Sequence, residues 1–122
     1  MFSALFPRSR EIKELDHALR AAGLHPALVP EAVKITTVKL LREAGGAAAA
    51  ARARAAALLA YCRLGAEAFA EANGAHAVAA VEARIAAAVE AGDSLDARLV
   101  LLTLHARIIE PGVVARFGLE AG

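Results

Sequence analysis

The chain has 122 residues, 58% of them hydrophobic, with a formal net charge of +1 and one cysteine. That length supports one domain with its own core and needs no disulfide or metal staple. A charge so near zero excludes a global pull toward nucleic acid or anionic membranes, and no run approaches the roughly 18 uncharged residues of a membrane span.

Alanine supplies nearly half of the hydrophobic fraction, aromatic residues make up 4% and tryptophan is missing, so helices are expected to approach one another closely. Cys62 has no partner for an internal disulfide, which suits a reducing compartment. A secretory leader needs an apolar core of about 7–15 residues, and the opening MFSALFPRSR offers only a short apolar tip ended by Pro7 and Arg8. The expectation is a cytoplasmic, non-membrane protein. Its charge is uneven: residues 1–63 carry net +5 and residues 64–122 net −4. Two halves packing on each other with complementary faces account for this most simply, and a basic surface for an acidic partner is the sharper reading.

Residues 1–8 form an apolar arm. Its Phe2, Leu5 and Phe6 either tuck onto the core, fray, or dock on another subunit or partner. From Ser9 to Ala22 the pattern is an amphipathic helix with Ile12, Leu15 and Leu19 inward, Ser9 as N-cap and Gly23 past the end. A connection with Pro26 and Pro30 leads to a helix over residues 30–44, where Val33, Ile35, Val38, Leu40 and Leu41 are the apolar set and Lys34 faces out. Gly45-Gly46 stops it.

Residues 47–73 run for 27 positions without proline and read as one long alanine-rich helix, with a possible bend at Gly65 and a large-residue stripe of Leu58, Tyr61, Cys62 and Phe69. A tight Asn73-Gly74 turn makes residues 75–91 its antiparallel neighbour, with Val78, Val81, Ile85 and Val89 at helical spacing. Residues 94–110, apolar on most of their circumference, read as the central buried helix, capped by Asp93 or Ser94 and stopped by Pro111. One more helical turn carries Val113, Val114 and Phe117, and residues 118–122 are expected to fray.

Few residues suggest chemistry. Glu14 and His17 form a Glu-x-x-His on one helix face, the half-motif of a ferritin-like di-metal site, which a homodimer would have to complete. A solvated charged face is the plainer reading. His105 sits on the most apolar helix, where burial beside Thr103 or Tyr61 could suit it to ligand or metal binding, or to proton transfer. Cys62 lacks a neighbouring base or oxyanion site and reads as a small apolar filler. Phosphate-loop, nucleophile-elbow and zinc spacings are absent, as is Cys-x-x-Cys-His.

The expected fold is therefore all-α, a five-helix antiparallel bundle over residues 1–122 with a long alanine-rich hairpin and a central apolar helix. The expected function is a non-catalytic helical protein-interaction module, homodimeric or bound to a protein partner, needing no cofactor and binding no nucleic acid. Its contact surfaces would be the 47–73 helix and the arm with Phe2, Leu5 and Phe6. The alternative is a small-ligand- or metal-binding bundle, with enzymatic activity open, built on His105, Tyr61 and Cys62 or on Glu14 and His17.

Overall fold

Ser9 opens the first helix as its sequence position predicts: the Ile12 N–H donates to Ser9 Oγ at 3.2 Å. The computed structural model describes residues 9–45 and 48–119, which form seven α-helices and one 3₁₀ turn, with no strand among them. None of these helices is long and apolar enough to cross a membrane. The helices are α1 (Arg10–Ala21), α2 (Glu31–Glu43), α3 (Ala49–Leu64), α4 (Ala66–Asn73), α5 (Ala75–Ala91), α6 (Leu95–His105) and α7 (Pro111–Phe117), with the 3₁₀ turn at Pro26–Leu28. The all-α class holds. The five-helix count does not: Gly65 cuts the expected 47–73 helix into α3 and α4, and the turn expected after Pro111 is a helix of its own, α7, while the expected 94–110 helix stops at His105.

The cut falls at Gly65. Its φ of 88° and ψ of 168° place it in a backbone region open essentially to glycine alone, so the alanine-rich run breaks into α3 and α4 around one residue. Gly74 repeats the device with φ 91° and ψ 162°, so α4 and α5 are also joined by a single glycine. The expected 94–110 helix ends early, after His105. Arg107 takes φ 60°, and the Ile108 N–H donates to Thr103 O at 3.1 Å, closing α6 five residues before Glu110. A non-glycine residue holds that conformation because Ile108 and Ile109, just beyond it, pack against the core. The Glu110 N–H then donates to Cys62 O at 2.7 Å, satisfying a carbonyl at the end of α3. The Glu110 carboxylate caps α7 by accepting from the Gly112 N–H at 2.8 Å.

The centre of the molecule is α3 rather than the 94–110 segment. Its second half buries Ala55, Ala56, Leu58, Leu59, Ala60, Tyr61 and Cys62, and it packs against α1, α2, α4, α5 and α6. Alanine at positions 55, 56 and 60 leaves only a methyl group between backbones, so several helices crowd one axis. By contrast α6 leaves Leu101 42% exposed, which one central helix would not do. Around α3 lie fully buried Leu15, Leu19, Ile85 and Leu99; truncating any one to alanine is worth about 2–5 kcal/mol.

Lys34 is a second departure from expectation. It is buried beneath α1, with Nζ 2.9 Å from Asp16 Oδ1. Nearby, the Arg42 guanidinium grips the Glu11 carboxylate through two nitrogens, tying the start of α1 to the end of α2. That hydrogen bond, reinforced by the charge of Arg42 and against some desolvation, holds the Glu11 carboxyl below its usual range. The pairs Lys34–Asp16, Arg42–Glu11 and Arg52–Glu14 lie within residues 1–63, and Arg84–Asp96 and Arg116–Glu82 within residues 64–122. These contacts do not join the basic half to the acidic half.

Candidate functional site

Tyr61 and Cys62 end up side by side in the core, each occupied by partners other than His105. The Tyr61 hydroxyl donates to Glu82 Oε2 at 2.7 Å, and Arg116 Nη2 donates to Glu82 Oε1 at 3.0 Å. A short polar chain thus runs from the buried phenol to an exposed guanidinium. The ring of Tyr61 meets Phe69 edge-on, with centroids 5.7 Å apart. Burial, then the hydrogen bond to anionic Glu82 and its charge, push the Tyr61 phenol well above its ordinary range. Burial likewise pushes the Cys62 thiol up to about 12, opposed by a hydrogen bond with Thr103 and the charge of Arg84. Thr103 Oγ1 itself donates to Val100 O at 2.7 Å. A protonated, enclosed thiol is no nucleophile at neutral pH.

His105 is the last residue of α6 and is exposed, on the side of that helix away from α3. Neither Thr103 nor Tyr61 is engaged with it. Glu14 lies 3.6 Å from Arg52 Nη1, and His17 is exposed one turn further along α1. No group of three or more His, Cys, Asp or Glu side chains suited to a metal ion occurs among the described residues. Phe2, Leu5 and Phe6 lie outside the described residues.

Two of the surface clefts are mainly apolar. One of about 490 Å³ lies between the first turns of α3 and α6, walled by Ala51, Ala55, Leu95 and Leu99. Its edge carries Arg84, whose Nε and Nη2 donate to both oxygens of Asp96 at 3.1 and 2.9 Å. The other, about 220 Å³, lies between α5 and α6 under Val89, Leu101, Leu104 and Leu119. Both are apolar, and neither brings a nucleophile together with a base.

The feature that sequence reading missed is the outside of α5. Val81, Ile85 and Ala88 fix its buried side. Its outward arc, about 60° either side of Ala83 at 100° per residue, consists of His76, Ala79, Ala80, Ala83, Ala86, Ala87 and Glu90. All seven are exposed. Between the two end residues the arc is alanine alone. Glu82 and Arg84, which flank it, are drawn away by Tyr61 and Arg116 on one side and by Asp96 and the Arg54 carbonyl on the other. The signal was present in the sequence: once Val81, Ile85 and Ala88 are set inward, alanines 79, 80, 83, 86 and 87 must face out. Reading alanine only as a means for helices to approach one another closely concealed it.

No family model, curated protein or solved structure matches the chain.

Proposed function

We propose that this chain is a non-catalytic helical interaction module that self-associates through the outward face of α5. The observation that supports the reading is the composition of that face. A solvated helix face ordinarily carries long charged side chains, and α1 does so, exposing Arg10, Lys13, His17 and Arg20. The outer face of α5 instead presents five alanines over about two and a half turns. Alanine solvates nothing, but it allows a second helix to approach to about 8 Å, the near end of ordinary packing distances. In the 47–73 segment, one of the two surfaces expected to supply the contact, residues 55–62 are largely buried, and the proposal assigns the contact to α5 instead. A cytoplasmic setting is part of the proposal and fits a chain whose one cysteine is free and buried.

The test is sedimentation velocity from micromolar to near-millimolar concentration. Wild-type protein should shift from monomer to dimer, and Ala83→Arg, which suits an exposed helical position, should stay monomeric with an unchanged helical circular-dichroism spectrum. A wild-type chain that remains monomeric over the whole range overturns the proposal.

A further inference from the structure

At one end of the molecule the starts of α1, α3 and α6 meet the end of α2. Glu11, in the first turn of α1, holds Arg42 at the end of α2, and both border one small depression with Arg52 of α3. The end of α2 shares a second surface with the start of α6, through Leu40, Glu43, Leu95 and Arg98. The cleft of about 490 Å³ between α3 and α6 opens at this same end, running from Ala48 and Ala51, beside Arg52, to Ala55. Ser9, extended at φ −60° and ψ 154°, therefore sets the chain ahead of it at the mouth of that cleft. The seven residues MFSALFP carry three bulky apolar side chains and no charged one. We infer that Phe2, Leu5 and Phe6 dock into the cleft between α3 and α6 of their own chain. The inference is independent of self-association through α5.

Reach is sufficient. Eight extended residues span at most about 26–29 Å, more than twice the cleft's length of about 10 Å from Ala48 to Ala55. Pro7 biases Phe6 toward extended backbone. An extended chain turns Phe2 and Phe6 to one side and Leu5 to the other, which suits a cleft walled by two helices. The chemistry of the cleft also selects an uncharged occupant. Its walls are the side chains of Ala51, Ala55, Leu95 and Leu99. At its edge the Arg84 guanidinium is already engaged, with Nε and Nη2 on Asp96 and Nη1 on the Arg54 carbonyl. An anionic ligand would have to break that set, whereas two phenyl rings leave it alone and withdraw about 150–250 Å² each from water. Tethering favours the chain's own segment over any free ligand, because a short flexible linker holds it at a millimolar effective concentration. The α5/α6 cleft is the poorer match. Its Leu101 and Leu104 stand roughly 180° around α6 from Leu95 and Leu99 at 100° per residue, so the arm would have to cross that helix to reach it.

The experiment is nuclear magnetic resonance on the full chain with labelled alanine, leucine and phenylalanine. Ring protons of Phe2 and Phe6 should give cross-relaxation peaks to methyl groups of Ala51, Ala55, Leu95 or Leu99, and their ring currents should displace those methyl resonances. Phe2→Ser, Leu5→Ser and Phe6→Ser combined should abolish the peaks and relax the displacement. The helical circular-dichroism spectrum should stay unchanged, because the core from Ile12 onward is untouched. Trypsin cleavage after Arg8 should accelerate in the same variant by at least about tenfold, as the undocked population rises. A one-to-one mixture of labelled and unlabelled chains separates the sources of the contact. Peaks within the labelled chain support the inference, whereas peaks only between labelled and unlabelled copies mean that the arm docks on a second copy, which overturns it. Peaks from Phe2 and Phe6 to Val89, Leu101 or Leu104 would place the arm in the other cleft. Absence of any such peak, with methyl resonances that the serine variant leaves unmoved, would leave the α3/α6 cleft open. Either of these results also overturns the inference.

Discussion

Tyr61 and Cys62 are held protonated by the fold, and that has a thermodynamic consequence. Both groups titrate higher in the folded chain than in the unfolded one, with Cys62 near 12 against an ordinary thiol value of about 8.5. Above pH 8.5 the folded state therefore binds more protons than the unfolded state, and stability declines as pH rises. Stability contributed by these groups is complete below that pH and is lost progressively toward pH 12. Thermal unfolding between pH 7 and 11 should show a falling midpoint, and Cys62→Ala should flatten the first part of that fall. A midpoint independent of pH over this range contradicts the assignment. Lys34 supports a second prediction. With side-chain exposures of 5% for Lys34 and 16% for Asp16, removing only the cation takes from the largely enclosed Asp16 carboxylate the ammonium group 2.9 Å from its Oδ1. Lys34→Met should cost about 3 kcal/mol by urea unfolding, while Lys34→Met with Asp16→Leu should recover most of it. Sequence pattern could not find this pair, since lysine on a helix is ordinarily a solvated residue. His105 misled in the opposite direction: leucines at 99, 101, 102 and 104 suggested an all-round apolar helix, yet Leu101 and His105, one turn apart, share its open side.

Among the elements, the positions of helices were legible and their interruptions were not. Ser9 and Ser94 cap as their side chains predict, and Gly23, Gly45 and Gly92 end helices where the sequence places them. Gly65 was harder to read, because alanine on both sides outweighs one glycine in any sum of propensities. What breaks the helix is tertiary: Glu110 donates its backbone N–H to Cys62 O, and Phe69 must reach the Tyr61 ring. The two single-glycine joints offer an internal comparison. A Cβ at Gly74 meets nothing within 4 Å, so Gly74→Ala reports backbone cost alone, about 1–3 kcal/mol. A Cβ at Gly65 comes within 2.7 Å of Glu110 Oε2, whose carboxylate caps α7. Gly65→Ala should therefore be the more damaging by the worth of that cap, about 1 kcal/mol. Equal losses at the two positions, measured by urea unfolding, would mean that Glu110 yields without cost.

At the scale of the whole molecule, alanine content explains both the core and the surface. Alanine reads as apolar wherever it falls, so α3 and α5 look alike by composition. Their roles are separated by a few large residues: Leu58, Leu59 and Tyr61 draw α3 to the centre, whereas Val81 and Ile85 anchor only one side of α5. A helix made central by small residues and a helix left bare by them are two results of one composition. That link leads to a thermodynamic prediction independent of hydrodynamics. If the bare face of α5 is covered by a second copy in the folded state only, association draws the folding equilibrium toward the native form, and the thermal midpoint rises with protein concentration. A dimer populated at one hundred times its dissociation constant adds about 2.7 kcal/mol of apparent stability, enough to move the midpoint of a chain this size by several degrees. Ala83→Arg should unfold at the wild-type low-concentration midpoint and show no such rise, because Ala83 contributes nothing to the buried side of α5. A wild-type midpoint unchanged over a hundredfold range of concentration would leave the alanine face as ordinary solvated surface.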